Sequence, residues 1–171
     1  MTGIETKIAR SGMTNLVVDI SGIEVSDSPD DVIVTYSLGS CLALVGYDPV
    51  AGVGGMVHCM LPMSKIDQEK ARLKPGMFVD TGVPTLLDTM FKMGATRKNL
   101  ILKAAGCSKL LDAKNMFRIG ERNNAVLRKL LWKNNLLLTS ESIGGTISRT
   151  LRLYMSTWEV TVATGGKETE L

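Results

Sequence analysis

The chain has 171 residues, 44% of them hydrophobic and 22% charged, which is the length and balance of one globular domain with a real core and argues against a disordered or fibrous chain. Twenty Lys and Arg stand against seventeen Asp and Glu, for a net charge of +3, and they are interspersed, so the basic patch with interleaved aromatics expected of a nucleic-acid binder is missing. Three cysteines without a CxxC pair and a single histidine argue against a disulfide framework, a zinc site or any other metal or cofactor centre.

No apolar run approaches the roughly 18 residues of a membrane span, and the N-terminal residues lack a signal-peptide core, so a cytoplasmic protein without stable membrane insertion is expected. Residues 1 to 14 are polar and unpatterned, and the closing run from Gly165 to Leu171 contains nothing that would anchor it; both ends are expected to fray around a core of residues 16–163. Residues 16–25 are rich in β-branched side chains and predict a first strand, bulged at Gly22. A second strand is predicted over 32–36, followed by a turn, Ser37-Leu-Gly-Ser40, that delivers the chain to Cys41. Residues 41–47 and 54–61, punctuated by Asp48-Pro49, read as a β-hairpin.

From Met77 to Met93 the apolar positions Val79, Val83, Leu86, Leu87, Met90 and Phe91 recur at helical spacing, and Gly94 stands where a helix would stop. Residues 100–105 predict a short buried strand ending at Gly106. A second helix is predicted from Asn115 or Gly120 to Trp132, ended by Asn134-Asn135, and three further strands over 136–142, 150–155 and 159–163. The sum is an α/β (mixed α+β) chain forming a single domain over residues 1–171, with a mixed β-sheet core flanked by helices.

The chemistry centres on Cys41 and His58. If Asp48-Pro49-Val50-Ala51 is the hairpin turn, the paired residues sum to 99 and Cys41 lies directly opposite His58, Cα atoms about 4.5–5.5 Å apart on one face. A longer loop using Gly52 or Gly54 shifts the sum by two and leaves the two residues diagonal neighbours on the same face. A thiol with an ordinary pKa of about 8.5 is a poor nucleophile, and an imidazole that takes its proton makes the thiolate. Gly39 and Ser40, just ahead of Cys41, offer unusual backbone angles and N–H groups for an oxyanion. Thr35, one strand over, is a candidate for orienting the imidazole through its hydroxyl or carbonyl. Taken singly, Cys41 reads more often as small buried packing than as a nucleophile, and His58 more often as a satisfied sheet histidine than as a base. Cys59 points to the opposite sheet face and reads as core, Cys107 follows a strand at a loop, and the ten methionines read as core filler, some of them suited to a surface that accepts a helical partner.

At these same residues, Val34-Thr-Tyr-Ser-Leu-Gly-Ser-Cys41, Tyr47-Asp-Pro49 and Gly54-Gly-Met-Val-His-Cys-Met-Leu-Pro62, the sequence resembles the CheD family of chemoreceptor glutamine deamidases, with its T-x-x-L-G-S-C and G-x-x-H-x-M-L-P pattern. Phe78-Val-Asp80, Met93-Gly-Ala95, the segment Asn115 to Asn123 and Ile143-Gly-Gly145 extend the resemblance over most of the chain. It implies Cys41 as nucleophile, His58 as general base and Thr35 as the residue orienting His58. It further implies methyl-accepting chemotaxis receptors as substrates, a thioester route from glutamine to glutamate, some hydrolysis of glutamyl methyl esters, a CheC-type phosphatase as partner, and a fold like the catalytic domain of deamidating toxins. A regulatory partner of the phosphatase, with catalysis secondary, is the alternative. The chain departs from the family pattern in the loop from Ala105 to Leu111, where Cys107 and Lys109 replace a Gly-Gly-Ala type run.

Overall fold

The computed structural model describes residues 12–109 and 117–171. Among the described residues, ten strands form two five-stranded mixed sheets. The first sheet runs β1 (Thr14–Val17), β3 (Asp31–Leu38), β8 (Arg149–Tyr154), β9 (Glu159–Thr164) and β10 (Lys167–Glu170). The second runs β2 (Ile23–Ser26), β5 (Val53–Cys59), β4 (Leu42–Asp48), β6 (Ile101–Gly106) and β7 (Ser140–Ile143). Pairs β1–β3 and β6–β7 are parallel and the others antiparallel. The α-helices among the described residues are α1 (Gln68–Leu73), α2 (Val79–Lys92) and α3 (Ile119–Lys133).

Alternation along the central strands explains the layering. On β4, Leu42 and Leu44 join Val57, Leu86, Met90 and Leu127 against the helices, while Ala43, Val45 and Tyr47 join Ile33, Leu151 and Val160 between the two sheets. Every residue of β4 and β5 is therefore buried, and both strands read as nearly unbroken apolar runs instead of alternating ones. The predicted stripe of α2 packs here: Val79, Val83, Leu86, Leu87 and Met90 are buried, and Gly94 follows in the left-handed region at φ 110°. For α3, the predicted end at Asn134-Asn135 coincides with Asn135 at φ 53°, and the earlier start considered at Asn115 lies outside the described residues.

Two expectations are corrected. Residues 16–25 are not one bulged strand. They split into β1 and β2 in different sheets, because the connection turns back at Gly22, whose N–H donates to Asp19 O at 2.7 Å. The closing residues are not frayed either. Gly165 and Gly166 adopt φ 54° and 82°, the conformation that a tight two-residue hairpin demands of both positions, and Thr164 pairs with Lys167. Glu168 then accepts hydrogen bonds from Tyr154 and Thr161, and Lys103 Nζ donates to Leu171 O at 2.6 Å.

Candidate active site

Hairpin β4–β5 carries Cys41 and His58. Leu42 pairs with Cys59 and Ala43 with His58, so Cys41 is a diagonal neighbour of His58 on the same face and not its direct opposite. The reason lies in the loop. Asp48 pairs with Val53, not with Ala51. Its Oδ1 accepts the N–H groups of Val50 and Ala51 at 2.9 Å, and Gly52, at φ 73°, donates to Asp48 O at 2.9 Å. Those two extra loop residues move the pairing sum by two and preserve facing.

Thr35 stands not one strand over but in the other sheet, across the inter-sheet core. Its hydroxyl lies 2.7 Å from His58 Nδ1 and 2.6 Å from Val18 O. A backbone carbonyl only accepts, so the hydroxyl donates to Val18 and accepts from His58 Nδ1–H, which leaves the Nε2 lone pair free. His58 Nε2 has no hydrogen-bond partner among the described residues, while Thr35 and His58 are each 1% exposed. The segment 18–22 closes over this pair. Val18 N donates to Val34 O, Ser21 N donates to His58 O at 2.8 Å, and His58 N donates to Gly22 O at 3.1 Å.

The loop before Cys41 is shaped by a bulge. Thr35 pairs with Leu151 but Leu38 with Arg149, one extra residue on β3, and the left-handed residue there is Ser37 at φ 55°, not Gly39. Three carbonyls then tie back into the protein. Gly39 O accepts Ser108 N and Oγ at 2.9 and 2.8 Å, Ser40 O accepts Asn123 Nδ2 at 3.0 Å, and Cys41 O accepts Cys107 N at 2.8 Å. In a planar trans peptide the C=O and the following N–H point opposite ways. Anchoring Gly39 O and Ser40 O on the buried Ser108 and Asn123 therefore turns the N–H groups of Ser40 and Cys41 the other way, free of those anchors. Gly106 allows this approach, since a Cβ there would sit 2.2 Å from Cys41 O.

Electrostatics keep both reactive groups neutral at rest. Burial lowers the His58 pKa to about 4, against a smaller opposing pull from Asp19. Burial likewise raises the Cys41 thiol above its ordinary value, partly countered by its own backbone N–H. A neutral imidazole with a free Nε2 can accept a proton, and a half-buried thiol on the same strand face can give one up as it attacks.

Cys59 packs in the helix-side core, as its facing predicts, and burial holds its thiol far above the usual range. Cys107 joins it there, turned by its φ of 56° and pushed up to about 12 by burial; its service to the site is its backbone N–H. Lys109 at the rim pairs with Glu121 at 3.1 Å, and Leu110 and Leu111 of the departing loop lie outside the described residues. Sequence reasoning missed Asn123, a fully buried polar residue whose Nδ2 also donates to Met60 O at 3.1 Å. The signal was present. Asn123, Leu127 and Leu131 share one helix face at four-residue spacing, all buried, and a lone Asn on such a stripe has a hydrogen-bonding task.

A thiol, an imidazole and a hydroxyl that fixes the imidazole tautomer make the kind of arrangement on which cysteine acyl-transfer chemistry runs. The family model described as "CheD chemotactic sensory transduction" matches residues 60–164. The "Probable chemoreceptor glutamine deamidase CheD 1" of Syntrophus aciditrophicus is 46% identical over 154 residues, 90% of this chain and 96% of that one. The "Probable chemoreceptor glutamine deamidase CheD" of Solibacter usitatus is 44% identical over 159 residues, 93% and 94% of the two chains. The chain belongs to the CheD family. A solved structure from Neisseria meningitidis aligns at a TM-score of 0.45 and 11% identity, covering 84% of this chain and 67% of that one, too slight a likeness to carry an argument.

Proposed function

We propose that this chain is a one-domain cytoplasmic enzyme that converts glutamine side chains of chemoreceptors to glutamate, with Cys41 as nucleophile, His58 as base and Thr35 as the residue orienting His58. The observation that carries the reading is the hydrogen-bond chain from His58 Nδ1 through Thr35 to Val18 O, which leaves Nε2 free on the face shared with Cys41. The names of the relatives supply the substrate class. The position in the cytoplasm fits a chain in which no described helix is long and apolar enough to cross a membrane.

In this mechanism His58 Nε2 takes the Cys41 proton as sulfur attacks the side-chain amide carbon, and the N–H groups of Ser40 and Cys41 hold the oxyanion. Imidazolium then protonates the departing ammonia, leaving a thioester. Neutral His58 next activates a water that releases glutamate and restores the thiol. A glutamyl methyl ester has the same acyl carbon and a better leaving group, so some ester hydrolysis belongs to the same site. A CheC-type phosphatase as regulatory partner rests on the family resemblance alone, and a pull-down with that phosphatase tests it.

The thioester is the step to trap. Acid quench of enzyme with excess receptor peptide predicts an adduct on Cys41 lighter by about 17 Da than enzyme plus peptide, the mass of the ammonia lost in acyl transfer. An adduct on Cys59 or Cys107, or none while ammonia is released, would overturn the assignment.

A further inference from the structure

An apolar groove of about 540 Å³ opens beside the Cys41–His58 face. Ile20, Met60, Leu73 and Met77 line it, with Lys70 and Lys74 along one side. Its walls are continuous with the site. Leu42 pairs with Cys59 at the end of the hairpin, Cys41 and Met60 are the residues just beyond that pair, and Asn123 Nδ2 holds both Ser40 O and Met60 O. The opposite wall, residues 20 and 21, is fastened to the histidine strand by Ser21 N donating to His58 O at 2.8 Å.

The groove leaves apolar surface in water for no internal purpose. Ile20 is 56% and Leu73 66% exposed. Helix α1 has Ala71 as its one buried residue, so Leu73 is not there to hold the helix down, and grouped exposure of this kind marks an interaction site. Lys70 is loosely paired with Asp67 at 3.8 Å, whereas Lys74 has no carboxylate partner among the described residues.

We propose that this groove docks the residues flanking the target glutamine. Its occupant is an amphipathic helical segment of the substrate protein, with an apolar side chain about one turn from the glutamine seated on Ile20, Met60 and Leu73, and a carboxylate further along facing Lys74. The inference rests on the Cys41–His58 reading and adds what selects one glutamine over another. A glutamine side chain alone offers few contacts, and the flanking residues add binding energy shared equally by the bound and transition states, which selects the segment through KM.

The test compares kcat and KM on a receptor cytoplasmic fragment for the wild type, Leu73→Ser and Lys74→Glu, both exposed positions whose replacement spares the core. Loss of one leucine-sized apolar contact predicts a KM raised about tenfold with kcat within about twofold. Iodoacetamide should modify Cys41 at the wild-type rate in both variants. A fragment with its flanking acid changed to Lys should recover most of the loss with Lys74→Glu and with neither other protein. Unchanged KM in both variants of an active enzyme overturns the docking proposal alone. So does a change in sedimentation without a change in KM, which would make the groove a contact between copies of this chain. Failure of the wild type on every fragment overturns the site reading and the docking with it.

Discussion

Acidifying the protein from pH 7 to pH 4 titrates one imidazole, since His58 is the only histidine. Its pKa of about 4 in the fold compares with about 6.5 in an unfolded chain, and at 1.36 kcal/mol per unit the difference is worth about 3 kcal/mol. The sign follows from which state binds the proton. Below about 6.5 the unfolded chain takes up a proton that the folded protein, holding His58 neutral by burial, refuses until about 4. Stability from this group is thus intact above pH 7, declines across that window, and is fully lost below it. Carboxylates also titrate in acid, Asp48 being held below its usual range by the N–H groups of Ala51, Thr96 and Val50 against the effect of its burial, so a control is needed. Urea denaturation of the wild type and His58→Gln at pH 7.5, 5.5 and 4.5 isolates the histidine, because glutamine stays neutral throughout. By pH 4.5 the wild type should have lost about 2.5 kcal/mol more than the variant, most of the full difference. The single histidine Hε1 resonance reports the same quantity directly. An imidazole titrating between about 6 and 7 in the folded protein, or parallel stability losses in the two proteins, would refute the reasoning.

Thr35→Val removes the hydroxyl while keeping the volume, leaving Val18 O and His58 Nδ1–H buried without a partner; denaturation should show a loss of about 1–3 kcal/mol per stranded group at most, single-turnover assays a rate lower by about 10²-fold, and Thr35→Ser should recover most of both. Asn123→Ala strands Ser40 O and Met60 O and should slow the same assay while leaving the His58 resonance unshifted. Gly106→Ala forces a Cβ to 2.2 Å from Cys41 O at a φ of 108°, so expression as folded protein with wild-type activity would contradict the described approach of the two chains. Alkylation of Cys41 should keep accelerating with pH beyond the ordinary thiol range, because burial raises its pKa; a plateau at neutral pH would indicate a resting ion pair with His58.

Much of this site was legible in the sequence because facing is a local property. Alternation puts Cys41 and His58 on one face and Cys59 on the other for any even shift of the hairpin register, and that survived the wrong choice of loop. Register itself was not legible, since it turned on Asp48 folding its carboxylate onto the N–H groups of Val50 and Ala51. Nor does periodicity say which sheet a strand joins. Thr35 was named, but its reach across the inter-sheet core depends on β1 and β2 parting at residues 18–22, a break that a stretch rich in β-branched residues reads as a bulge. The opposite error occurred at the C-terminus, where the Gly165-Gly166 hairpin signal was present and the exposed Lys-Glu-Thr-Glu that follows was read as unanchored. Its anchors, Tyr154, Thr161 and Lys103, are distant in sequence.

The most direct test is mass spectrometry of receptor cytoplasmic fragments incubated with the wild type and with Cys41→Ala. Acyl transfer from glutamine to water predicts a gain of about 1 Da at particular glutamines with the wild type and none with the variant. A gain that persists in Cys41→Ala, or its absence with folded wild-type protein on receptors from the same organism, would contradict the account.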